Sequence, residues 1–244
     1  MGSFCSKRIL EIWESSNGKT AETKIRSLLS LMLPELSVDE IGELILGERN
    51  GHLLALRQQL FGSKLQAYIE CVECGDALDL EFLIDDLDFD SITLIPKIHT
   101  LSFDKFSAIV TLPDGNVLQV LALAESAEKG RFILFDFCIQ HLYRDKKTIV
   151  ISDLSDNELN LLEAEIGKLD PRMEILLDMQ CPNCSYKWQL SLDLGTFVWR
   201  EFDGYAKQLI ENVHLLANSY GWSENDILSM SNIRRHYYVE RLLI

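Results

Sequence analysis

CPNCSYKWQLSLDLGTFVW (residues 181–199) and CVECGDALDLEF (residues 71–82) are the two stretches on which the fold turns. Each opens with Cys-x-x-Cys, a spacing that lets two thiolates reach one tetrahedral ion from a tight turn. Each then runs into alternating apolar and polar residues, the pattern of a half-buried strand. This is how the halves of a zinc ribbon look, and the reading takes Cys71, Cys74, Cys181 and Cys184 as ligands of one structural zinc. The separation is unusual, because 106 residues intervene between Cys74 and Cys181 where a ribbon normally has far fewer. The halves would then meet in space around an insertion.

Two separate reduced dithiol turns, or a site that has lost its metal, are the competing readings. A thioredoxin-like redox pair needs a βαβ context that neither stretch has, and disulfides are disfavoured in the cytoplasm. Four sulfurs leave no open position for water, so the ion would be structural, contributing on the order of 10 kcal/mol to folding. Cys5 and Cys138 lie outside the pattern, as a terminal thiol and a core residue.

With 244 residues, 47% hydrophobic and 25% charged, the chain is long and apolar enough for one elaborated domain or two small ones. Its formal charge of −15 repels phosphate backbones, so nucleic acid is a poor partner. The richest apolar run, RFILFDFCIQHLY from Arg131, is short and interrupted by Asp136, so no membrane span is expected. MGSFCSKRILEIWESS does not read as a secretory signal, which places the protein in the cytoplasm. Gly2 and Ser6 fit the short myristoylation pattern, with Cys5 placed for a second acyl chain.

The first 70 residues read as helical. Ser37 and Glu40 form a capping-box signature, Gly47 and Gly51 bracket a break, and a further helix runs from about His52. In FSAIVTLPDGNVLQVLAL the turn residues Pro113-Asp114-Gly115-Asn116 predict a hairpin between two strands. An acidic helix ends before Pro171. Ala206, Leu209, Ile210, Val213, Leu216, Ala217 and Tyr220 then recur at helical spacing, with Gly221 as C-cap and helix starts at Ser223 and Ser231. No internal repeat is visible beyond the two cysteine pairs.

Other chemistry is thin. Asp86, Asp88 and Asp90 resemble half an EF-hand loop, but Ser91 replaces its glycine and Lys97 its bidentate glutamate, so a solvated acidic loop is the better reading. The five histidines form no HExxH pair, no GxSxG elbow or phosphate loop occurs, and His214 reads as structural. The final helices with Arg234 and Arg235 suggest a helix-turn-helix only weakly, given the acidic chain.

LLALRQQLFG before CVECG, the central FSAIVTLPDG, LDPRMEILLDMQCPNC and the ending VHLLANSYGWSENDILSMSNIRRHYY together resemble the baseplate and hub-assembly family of T4-like contractile phage tails and bacterial contractile injection systems. The resemblance implies metal ligands at Cys71, Cys74, Cys181 and Cys184, and a terminal module around His214, Tyr220, Gly221, Trp222, Arg234, Arg235 and Tyr238. It also implies a non-enzymatic component or assembly factor whose partners are other baseplate or hub proteins. Ser185, where such a turn often has glycine, is a departure.

The expectation is an α+β protein: a helical segment over 1–66, a split four-cysteine zinc ribbon with an inserted mixed α/β segment over 67–195, and a helical module over 196–244. Trp199, Phe202, Trp222, Arg234, Arg235 and Tyr238 are the candidate partner-binding residues. A zinc-ribbon nucleic-acid or transcription-associated factor is the alternative, and a metal or thiol enzyme a more distant one.

Overall fold

The computed structural model describes residues 4–87 and 95–242. Four helices come first: α1 (Ser6–Ser15), α2 (Ala21–Leu29), α3 (Val38–Gly42) and α4 (Leu46–Phe61). The Ser37–Glu40 capping box opens α3, as its sequence predicts. Helix α4 starts six residues before His52 and runs through Gly47 and Gly51, which correct the expected break. Gly47 is needed for close approach: a Cβ there would lie 2.0 Å from Oδ2 of Asp170, whose carboxylate accepts the Gly47 amide at 3.0 Å.

Strands β1 (Lys64–Glu70) and β2 (Ala77–Leu83) form an antiparallel hairpin across the first cysteine pair, and β7 (Leu176–Gln180) and β8 (Lys187–Ser191) form another across the second. Between them lies a four-stranded antiparallel sheet in the order β3 (Ile98–Phe103), β4 (Phe106–Thr111), β5 (Ile139–Arg144), β6 (Lys147–Thr148). It is accompanied by α5 (Gly115–Leu121), α6 (Ala127–Cys138) and α7 (Asp156–Leu169). The chain ends in α8 (Leu194–Tyr220), α9 (Glu224–Leu228) and α10 (Asn232–Leu242).

The hairpin expected at residues 113–116 is instead a strand-to-helix turn. Asp114 accepts hydrogen bonds from the amides of Asn116 (2.9 Å) and Val117 (3.4 Å) and so caps α5. Turn and N-cap chemistry draw on the same side chains, and here the apolar Val117, fully buried, favours the helix.

The elements close on one another like nested brackets. Ile9, Leu28, Leu29, Leu53 and Leu56 of the first helices share a core with Val198, Phe202, Ala206 and Leu209 of α8. In chain order the two hairpins are nested within these helices and the sheet within the hairpins, and the sheet has its own core, which joins Val110 and Leu142 to Phe135 and Leu162. At roughly 1.5–3 kcal/mol per fully buried aliphatic or phenyl side chain, burial of these stripes is the main force closing each layer.

Buried charge fixes how the inserted sheet seats on the helices. Glu22 accepts Arg26 Nε at 3.1 Å and Arg49 Nη2 at 2.8 Å, with all three nearly buried, and Arg26 Nη2 reaches Asn116 at 3.0 Å. Lys97 Nζ donates to Asp114 at 2.8 Å and to the carbonyl of Glu43 at 3.1 Å. Two of these contacts cross to the insertion, Arg26 to Asn116 and Lys97 to the Glu43 carbonyl, and a mis-seated insertion would lose both, leaving the buried Arg26 guanidinium short of an acceptor.

Candidate metal centre

Each cysteine pair occupies the tip of its hairpin. The amide of Gly75 donates to the carbonyl of Cys71 at 2.9 Å, and that of Ser185 to Cys181 at 2.9 Å. The amide of Cys71 donates to the carbonyl of Asp76 at 2.8 Å, and that of Cys181 to Tyr186 at 2.9 Å. Both turns need a left-handed residue, Gly75 with φ 74° and Ser185 with φ 61°. Serine tolerates that conformation at a cost of roughly 1–2 kcal/mol. The departure noted in the sequence therefore keeps the turn and makes it less stable.

The likeness extends well beyond the turns. From Leu65 to Ile84 the chain alternates buried, exposed and half-buried positions in an order that recurs residue for residue from Ile175 to Leu194. Strand register is the same: Gln66 faces Glu81 as Leu176 faces Ser191. The buried ends of both units, Leu65, Ile84, Ile175 and Leu194, enter the main helical core. The repeat is structural, since few residue types besides the cysteines coincide.

At the tips the two units meet. Cys71 Sγ lies 3.6 Å from Cys184 Sγ and Cys74 Sγ 3.7 Å from Cys181 Sγ, and all four sulfurs lie within 4.8 Å of one another. Four sulfurs at about 2.3 Å from a zinc ion stand about 3.8 Å apart along the edges of a tetrahedron. A disulfide would bring two of them to about 2.05 Å. The donor set and spacing thus fit one tetrahedral ion. Cys71 and Cys181 are buried, Cys74 and Cys184 exposed.

The thiols are inequivalent. The backbone N–H of Cys74, pointing at the Cys71 sulfur, holds the Cys71 thiol down to about 7 despite its desolvation, with help from the Glu73 amide. Against the pull of the Asp76 amide, burial and the neighbouring thiols push Cys74 up to about 12. Cys138, in the sheet core, is pushed up to about 12 by burial and by the nearby Asp114, consistent with a packing residue. Cys5 is exposed.

The six candidate partner-binding residues separate into two groups. Phe202 is fully buried in the main core and Arg235 is 2% exposed, so neither presents an outward surface as expected. Arg235 ties the ends of the chain together instead, donating to Ser6 Oγ at 3.1 Å and to Asn232. Its long aliphatic stem and charged head satisfy a buried corner between α1 and α10, a role that charge pattern alone cannot distinguish from surface binding. Trp199 is half-buried beneath Lys24 Nζ, 5.3 Å from the ring centre. Trp222, Tyr238 and Arg234 stay together: the Trp222 and Tyr238 rings meet edge to face at 4.9 Å, Tyr220 stacks on Trp222 at 4.6 Å, and Arg234 lies over Tyr238. His214, read from the sequence as structural, is exposed on α8.

Asp86, from the half EF-hand pattern, accepts the amide of Leu83 at 2.8 Å, while Asp88, Asp90 and Ser91 lie outside the described residues, as does Gly2. Among the described residues the cysteine cluster is the one grouping of His, Cys, Asp or Glu side chains with metal-ligand spacing. Among them, too, no helix is long and apolar enough to cross a membrane.

The geometry defines an α+β protein in which two distant cysteine hairpins are gathered into one four-sulfur cluster. A family model described as T4 bacteriophage base plate protein matches residues 6–199, and the chain belongs to that family. The matched span contains both cysteine pairs and stops before α9 and α10, so the ending quoted for the resemblance lies outside it. No curated protein and no solved structure matches the chain.

Proposed function

We propose that this protein is a non-enzymatic component or assembly factor of a contractile tail baseplate, acting through contacts with other baseplate or hub proteins, with Cys71, Cys74, Cys181 and Cys184 holding a structural zinc ion. The observation that carries the metal reading is the convergence of four sulfurs from hairpins 107 positions apart in the chain. Soft thiolates in a tetrahedral set favour zinc, and four of them leave it no vacant position for a substrate. The ion would serve as a clip at the tips of hairpins whose other ends are already fixed in the helical core. Membership of the baseplate family supports the wider role. Exposed or half-exposed Trp199, Trp222, Arg234 and Tyr238 would then be docking residues, and the chain would divide functionally at about residues 66 and 195.

Elemental analysis of protein purified without added metal should give one zinc per chain, lost in the Cys71→Ser/Cys181→Ser variant. A metal-free wild-type protein with unchanged stability would refute the clip. Affinity capture from cells assembling the particle should return sheath, tube or baseplate proteins; recovery of RNA polymerase subunits instead would refute the baseplate role.

A further inference from the structure

The outward face of the first hairpin and the last helix carry opposite charge. Tyr68, Glu70, Asp79, Glu81 and Leu83 are exposed on the same side of β1–β2, with Lys64 the single cation among them. Tyr68 is 65% exposed, and Val72 at the tip, beside Glu73 and Asp76, is 67% exposed. Helix α10 shows the reverse arrangement. Ile233, the most exposed large hydrophobic side chain among the described residues at 85%, lines up with Tyr237 and Arg241 at helical spacing, and Arg234 and His236 flank them. Arg241 Nη2 donates to the Tyr237 hydroxyl at 2.8 Å, so cation and ring form one surface. Each face thus combines exposed apolar anchors with an excess of one charge, broken by Lys64 on the hairpin and by Glu240, 3.2 Å from His236, on α10.

Within one copy both faces stay outward: Tyr68 and Ile233 remain 65% and 85% exposed, and α10 packs inward through Val239, which joins Leu216 of α8. We propose that the α10 face of one copy docks on the outward β1–β2 face of a second copy, head to tail. Two copies of charge −15 repel at long range, so the contact depends on the oppositely charged patches at close quarters; a phosphate polymer would leave an aliphatic anchor such as Ile233 with little to gain. A second copy supplies both the acid and the apolar surface. Because the two patches differ, the contact is heterologous, and its repetition gives a ring if the rotation closes.

The inference goes beyond the baseplate reading, and every variant in its test keeps all four cysteines, so zinc content and self-association succeed or fail separately. Sedimentation of the intact protein from low to high micromolar concentration should show association that weakens as salt is raised. Arg234→Glu/Arg241→Glu and Glu70→Lys/Asp79→Lys should each weaken it about tenfold or more, as should the uncharged change Ile233→Ser. A chain carrying both charge reversals should regain association, because the signs are exchanged on the two faces together. Circular dichroism would verify that each variant is folded. A wild-type protein that stays monomeric at low salt would overturn the proposal, including one whose α10 instead binds an acidic peptide or duplex DNA. So would association that ignores either reversal or is not restored by their combination.

Discussion

Strands β1–β2 and β7–β8 present equivalent residues to the core and to the sulfur cluster, yet their outward faces have little in common. The first carries five carboxylates from Glu70 to Glu81 against Lys64; the second balances Asp178 with Lys187. Inner positions are constrained twice, by the helical core at one end and the cysteines at the other. Outer positions meet solvent, so neither the core nor the cluster dictates which side chain they carry. The contrast separates what holds this protein together from what it shows to others.

The largest test of the shared inner half is loss of the clip. Chelation, or Cys71→Ser alone, should remove stabilisation on the order of 10 kcal/mol from the hairpin pair. Hydrogen exchange should then accelerate in both hairpins together, including Leu176–Ser191, although the substitution lies in the other one. Exchange confined to β1–β2 would break the equivalence. Next come the buried anchors: Leu65→Ala and Ile175→Ala, at matching positions, should each lower the unfolding free energy by about 2–5 kcal/mol in denaturant titrations.

The turns should respond in opposite directions. Ser185→Gly relieves a left-handed serine and should raise stability by about 1 kcal/mol, while Gly75→Ala should lower it by about as much. Equal responses would mean that the two turns are not equivalent in backbone demand. The smallest effect distinguishes the outer faces. Lys64, which donates to the Glu81 carboxylate at 2.7 Å, and then Gln66 hold the Glu81 pKa below its ordinary 4.5. A depressed folded pKa means that the contribution to stability is present above 4.5 and fades as pH falls through the lower folded value. Carboxyl NMR titration should show this for Glu81, with Lys64→Met moving its pKa back up; Ser191, the matching residue, has no charge to titrate.

How much of this was legible in the sequence follows from the range of each signal. Cys-x-x-Cys, the Ser37–Glu40 box and Gly221, which caps α8 with φ 68°, are local devices whose partners lie within a few residues. Their reading needs no fold. Asp114 was misread because the same local side chain serves a turn or an N-cap, and Gly47 because its role, making room for Asp170, comes from distant chain. Phe202 and Arg235 looked like docking residues for the same reason, since nothing local says that α1, far away in sequence, will cover them. The repeat of the hairpins stayed hidden because it is written in burial and register, which many side chains satisfy equally.

The gap between Cys74 and Cys181 also sets a clock. A ribosome adds about 5–20 residues per second, so the first pair of thiols emerges roughly 5–20 s before the second. Throughout that interval the nascent chain carries half a coordination shell and the first helices without α8. Translation of the last strand pair therefore completes the set of sulfurs, and α8, which follows it directly, then gives the oldest part of the chain its final neighbours.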